Sequence, residues 1–140
     1  MISICVAVAL SVSGCAAKET ITCTGTKTDQ ENNTTSKVTT TGTFKDDRLY
    51  RMEMTWETSF ASESEATEYY QSLKTSLEKQ GEKSSGTSNV SQNGKTVTLH
   101  TRSKLSDLEK NNTVTDGIVS SKTRKEEFKK YLKIQGQTCK

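Results

Sequence analysis

The stretch from Arg48 to Thr58 constrains the fold more than any other. Tyr50, Met52, Met54 and Trp56 recur at every second position, and Arg51, Glu53, Thr55 and Glu57 fall between them. Side chains of a β-strand alternate between the two faces of its sheet, so this pattern predicts one buried face and one wet face. Strands of parallel sheets are covered on both sides and read as continuous apolar runs. A strand with one wet face belongs to an antiparallel sheet.

The neighbouring segments supply partners. Ile21 to Thr28 is rich in β-branched residues, with Ile21, Cys23 and Gly25 on one side. Ser36 to Phe44 is a Thr-rich strand with Val38 and Phe44 on one face. The polar runs Asp29–Asn33 and Lys45-Asp46-Asp47 are the turns between these strands. Further on, Asn93-Gly94 is a hairpin signal, because both central residues of a type I′ turn need positive φ. It predicts a pairing of Thr87–Gln92 with Lys95–Arg102, with Val97 and Leu99 pointing inward.

Two helices complete the pattern. Ser62 and Glu65 have the spacing of a capping box, and the helix they open runs to about Gln80, with Gly81 as its stop. At about 100° per residue, Ala66, Tyr69, Tyr70, Leu73 and Leu77 share one arc. That stripe predicts a helix lying across the face of Met52, Met54 and Trp56. Thr123 and Glu126 repeat the capping-box spacing, and Phe128, Tyr131 and Leu132 line one side of a helix that Gly136 ends. Between them, Leu105 and Leu108 suggest a short helical turn, and Ile118 and Val119 tack down an irregular segment. The expected fold is α+β: an antiparallel β-sheet with two helices packed on one face. It forms a single domain over residues 21–140, preceded by a tether over residues 15–20.

The N-terminal residues carry a different signal. Ile2 to Leu10 is an uncharged apolar run of signal-peptide length, too short to span a bilayer. It leads to Val12-Ser13-Gly14-Cys15, which resembles the lipobox of bacterial lipoproteins. That resemblance implies a diacylglyceryl group on the Cys15 sulfur. It also implies cleavage just before Cys15 by a peptidase that reads Val12 and the small Ser13 and Gly14. Residues 1–14 are then a signal peptide. The competing readings are an ordinary secretory signal cleaved nearby and a chance apolar N-terminus. Met1-Ile2-Ser3 lacks the basic residue that usually opens such a signal, which a start further upstream would supply. Two or three acyl chains on Cys15 make a stable anchor, where one binds marginally.

Four cysteines occur in the chain. Cys5 leaves with the signal and Cys15 is acylated, which leaves Cys23 and Cys139. Outside the membrane they can form a disulfide. The alternative is two free thiols. A bridge closing so long a loop stabilises by roughly 4 to 5 kcal/mol in the chain-entropy limit.

Chemistry-bearing residues are sparse. Lys and Arg number 20 against 17 Asp and Glu, too even a balance to indicate nucleic acid. The single histidine, His100, falls on the wet face, with no nucleophile or carboxylate placed beside it by local spacing. Asp46-Asp47 reads as a turn and lacks the spacing of a calcium loop. Lys122, Lys129, Lys130 and Lys133 share a broad face of the last helix, interrupted by Glu126. That face reads as solvated, with contact to anionic lipid as the alternative. Trp56, Tyr69 and Tyr70 are the candidate ligand surface, able to take a sugar or peptide, although their periodicity also suits core positions. No catalytic residue, metal site or cofactor is indicated.

The segment from Ile21 to Cys139 resembles a family of small bacterial lipoproteins of unknown function, found in low-GC Gram-positive bacteria with enterobacterial relatives. The resemblance rests on Cys23-Thr24-Gly25, on Phe44-Lys45-Asp46-Asp47 before the alternating strand, and on the Ser/Glu-capped helix with paired tyrosines. It rests also on Lys125-Glu126-Glu127-Phe128-Lys129-Lys130-Tyr131-Leu132 with Gly136 and Cys139. It implies a compact α+β domain held on the outer side of the cell membrane, with no activity to carry over. The expectation is a lipid-anchored, extracytoplasmic, non-enzymatic binding or interaction module. Its partners are the membrane, through Cys15, and an envelope protein or small ligand. The alternatives are an envelope enzyme or accessory using scattered carboxylates, and a structural surface protein without a specific ligand.

Overall fold

The computed structural model describes residues 18–80, 86–104 and 122–140. The expected signal peptide and lipobox, Gly81, the turn at Leu105 and Leu108, and Ile118 and Val119 lie outside the described residues. The elements are β1 (Lys18–Asp29), β2 (Thr34–Lys45), β3 (Arg48–Ser59), α1 (Glu63–Gln80), β4 (Gly86–Asn93), β5 (Thr96–Lys104), α2 (Lys125–Ile134) and β6 (Thr138–Cys139). The strands form one antiparallel sheet in the order β4-β5-β3-β2-β1-β6. None of the described helices is long and apolar enough to cross a membrane.

The turns set the registers. Asp46 and Asp47, at φ 51° and 60°, form a two-residue hairpin turn of the I′ kind. The second hairpin differs from expectation. Its loop is Gly94-Lys95, and Gly94 (φ 58°) is the central residue with positive φ. That is the II′ pattern, with glycine first, and Asn93 ends β4 in extended conformation.

A bulge corrects the reading of Tyr50. Thr43 pairs with Arg51 and Phe44 with Leu49, so Tyr50 is the extra residue on β3. The bulge lets Leu49 and Met52 share the inner face, although three positions separate them. Tyr50 goes to the outer face, and Leu49 takes the buried position, 1% exposed.

The dry core lies at one margin. Ile21, Cys23, Phe44, Leu49, Phe128 and Leu132 pack together, with Met52, Tyr131 and Cys139 against them. Phe128 meets Phe44 edge-on, with ring centroids 5.3 Å apart. Gly42 is the seat of the Phe128 ring, since a Cβ there would lie 2.8 Å from its Cζ. The Cys23–Cys139 disulfide is formed, joining β1 to β6 where the two cysteines pair in register.

The helix arrangement expected from the sequence is corrected. α1 rests on β4 and β5, and α2 rests on β1 and β6. The two helices therefore hold opposite margins of a broad sheet and do not meet as a continuous layer across β3. Ala66 is the only buried residue of α1, and Leu73 and Leu77 are half-buried. Met52, Met54 and Trp56, which α1 was expected to cover, remain half-buried. The physical reason is connectivity: α1 leaves the end of β3 and must deliver the chain to β4, an edge strand. Among the described residues the content is still that of an α+β protein, six antiparallel strands and two helices.

The cap of α2 also shifts by one residue. The Arg124 backbone N–H donates to Glu127 Oε2 at 3.1 Å, in place of a Thr123/Glu126 pair. Thr123 is buried and its carbonyl accepts from Leu49 N at 2.9 Å, which ties the helix entry to the sheet. Gly136, at φ 84°, ends the helix as a C-terminal glycine does.

Candidate functional site

A cavity of about 420 Å³ opens at the end of the sheet where β1 turns into β2 and β3 runs into α1. Its lining residues are Asn32, Thr34, Ser36, Thr58, Phe60, Glu65 and Tyr69. Each is placed by a local device. Asp29 organises the turn: its Oδ1 accepts from Glu31 N at 3.0 Å and Asn32 N at 3.3 Å, and its Oδ2 accepts from Asn32 Nδ2 at 2.8 Å. The Asn32 side-chain and backbone hydrogen bonds hold the Asp29 carboxyl below its ordinary value of 3.8. Asn33 closes the turn at φ 49°. The result is an Asn32 side chain fixed at the rim.

The floor comes from cross-strand pairing. Ser36 and Thr58 are register partners, and their hydroxyls lie 3.1 Å apart. The far wall is aromatic. Phe60 N donates to Lys95 O at 2.9 Å, which fixes the chain as it leaves β3. The Phe60 ring meets that of Tyr69, with centroids 5.1 Å apart and planes inclined at 47°. Tyr69 is 38% exposed, so a ring face remains open to solvent.

Glu65 comes from the capping box. Ser62 N donates to Glu65 Oε2 at 3.2 Å, and Glu65 N donates to Ser62 Oγ at 3.2 Å. The carboxylate is thereby locked in place, one oxygen serving the cap. The site thus combines two tilted rings, three aliphatic hydroxyls, one amide and one carboxylate, and no cationic side chain. Such a set can bind a neutral, hydroxyl-bearing ligand. It lacks the opposed pair of titratable groups that acid–base chemistry uses. Among the described residues, no group of three His, Cys, Asp or Glu side chains is placed to hold a metal.

The residues singled out by sequence are dispersed. Tyr69 lines the cavity, and Tyr70 and Trp56 do not. Trp56 sits on the inner face between Val38 and Leu99, its register partners. His100 is half-buried on the outer face, its Nδ1 3.0 Å from Thr55 Oγ1. Asp47 Oδ1 accepts from Lys125 N at 3.2 Å, which makes the Asp46-Asp47 turn a brace for α2. Lys129 pairs with Glu126 at 3.2 Å within the basic helix. Cys15, Val12, Ser13 and Gly14 lie outside the described residues. Sequence reasoning missed Phe60 and Asn32. Phe60 stands just past β3, and Asn32 carried only a turn signal.

No family model and no curated protein matches the sequence. Among solved structures, an NMR structure of a protein from Streptococcus pneumoniae TIGR4 is similar in fold, with a TM-score of 0.56 at 12% identity. The match covers 91% of this chain and 88% of that one. At such identity the likeness concerns the path of the chain alone.

Proposed function

We propose that this protein is a lipid-anchored, extracytoplasmic binding module that takes a neutral, hydroxyl-rich ligand such as a sugar ring in the cavity of Phe60 and Tyr69. The observation that carries the reading is the composition of that cavity. Flat rings suit the apolar face of a sugar, and the fixed amide, carboxylate and hydroxyls suit its hydroxyl groups. The absence of Lys, Arg and His from the lining disfavours an anionic ligand. The binding reading is favoured over the enzyme reading because the cavity gathers a single carboxylate, Glu65, already engaged in a helix cap. The anchor rests on Cys15 and the small residues before it.

The test is a titration of the isotopically labelled protein with N-acetylglucosamine and with glucose, read by amide chemical shifts. The expected result is movement confined to Asn32, Ser36, Thr58, Phe60, Glu65 and Tyr69, with a dissociation constant near millimolar, about 4 kcal/mol of binding. Tyr69→Ala should abolish it without unfolding, since Tyr69 is 38% exposed. Shifts spread over the surface, or an unchanged titration in the variant, would reject the cavity as the ligand site.

A further inference from the structure

We infer that the end of the sheet opposite the cavity is a docking surface for anionic phospholipid, so that the tethered domain stands on the membrane with its cavity facing away. The inference rests on the proposed anchor at Cys15 and adds an orientation to it.

The antiparallel register gathers cations that are scattered along the sequence. Lys18 pairs with Lys45, and Lys45 pairs with Arg48. Thr43 pairs with Arg51, and Arg51 pairs with Lys104. The first residue of β1, the last of β2, the first four residues of β3 and the last residue of β5 therefore lie at one end. Alternation puts Lys18, Lys45, Arg51 and Lys104 on the outer face there, with Arg48 exposed at the hairpin. Tyr50 stands among them because the bulge turned it outward. Its ring centroid is 5.1 Å from Lys45 Nζ, 5.8 Å from Lys18 Nζ and 5.7 Å from Arg51 Cζ.

The carboxylates nearby do not cancel these charges. Glu53 pairs with Arg102, and Glu19 pairs with Lys125 at 2.6 Å. Asp46 and Asp47 sit in the hairpin turn and oppose two of the five cations, leaving an excess of three positive charges among the described residues. None of the ion pairs among the described residues uses Lys18, Lys45, Arg48, Arg51 or Lys104.

Two observations select anionic lipid as the partner. The first is distance. Lys18 stands three positions after Cys15, a reach of at most about 11 Å when fully extended. A lipid on Cys15 therefore holds this end, and no other, at headgroup level. The second is chemistry. Basic residues attract the anionic leaflet within a Debye length, and tyrosine favours the membrane–water interface. The cavity lies at the far end of β3, about 35 Å away over its twelve residues. An envelope ligand would then reach it without crossing the headgroups.

The experiment uses the lipidated full chain in nanodiscs carrying a gadolinium-chelating lipid, with amide relaxation as the readout. In discs of phosphatidylcholine with one quarter phosphatidylglycerol, the amides of Lys18, Lys45, Arg48 and Lys104 should relax fastest, and those of Asn32 and Phe60 slowest. The combined variant Lys18→Glu, Lys45→Glu, Lys104→Glu should flatten that gradient while the protein stays on the disc. Each neutralised cation should weaken the docked state by about fivefold. Equal relaxation at both ends, or a gradient indifferent to phosphatidylglycerol and to the charge reversals, would overturn the docking and leave the anchor intact. A chain that fails to copurify with the discs would remove the anchor, and the docking with it. Two copies held together at this end, independent of phosphatidylglycerol, would also overturn it.

Discussion

The two margins of the sheet are held together by different means. On the β1–β2–β6 side, four buried residues of the sheet pack against Phe128 and Leu132 of α2, and the Cys23–Cys139 disulfide fastens the last strand. On the β4–β5 side, Ala66 and Val97 are the buried apolar residues, and α1 is otherwise exposed or half-buried. Polar contacts replace packing there, such as Gln92 Nε2 donating to Thr67 Oγ1 at 2.9 Å. The difference teaches that dense packing and the open cavity fall in separate regions. The packed margin includes β1, from which the proposed tether would lead, and the thin margin supplies the aromatic wall of the cavity. Sites that need open surface come from the less stable parts of a fold.

This contrast can be broken by substitution. The largest effect is expected from Phe128→Ala, which empties the core under α2 and should cost about 3 to 5 kcal/mol in denaturant unfolding. Removing the bridge with Cys23→Ser and Cys139→Ser should cost about 2 to 4 kcal/mol, because it frees a span of 116 residues. Gly42→Ala should cost about 1 to 3 kcal/mol, since its Cβ would meet Phe128 and Leu49 at 2.8 to 3.0 Å. At the thin margin, Ser62→Ala removes the cap of α1 and should cost about 1 kcal/mol. It should also weaken ligand binding by releasing Glu65. If Ser62→Ala matched Phe128→Ala in unfolding, the two margins would not differ as described.

The smallest effect sharpens the account at the cavity rim. The Asp29 carboxyl is held low, first by the Asn32 side chain. Its contribution is fully present above the ordinary value of 3.8 and is lost as pH falls through the lowered folded value. The Asn32 side-chain amide resonances should therefore titrate below 3.8. Asp29→Asn should remove that step. Titration at or above 3.8 would show that Asn32 is not held in this way.

Much of the fold was legible because it is written locally. The alternation of Met52, Met54 and Trp56, the Asp-rich turn and the Ser62/Glu65 box each need only a few neighbouring residues. What escaped is set by long-range pairing. The β6 strand is two residues long and exists because Cys139 meets Cys23. The bulge at Tyr50 depends on how Phe44 must pair to reach the core. The site of α1 was misread because an apolar stripe says that a helix packs, whereas connectivity decides where. The cavity was half legible: Tyr69 was named, but Phe60 and Asn32 meet only when β3, α1 and the first hairpin converge. The basic end was hidden for the same reason, its five cations being spread from Lys18 to Lys104.

A tether at Cys15, as proposed, would turn an open cavity and a basic sheet end into a protein facing the envelope. The most direct test is the intact mass of the chain extracted from bacterial membranes with detergent. The account predicts a polypeptide that begins at Cys15 and carries diacylglyceryl on its sulfur. A chain that retains residues 1–14 with an unmodified Cys15 would contradict it.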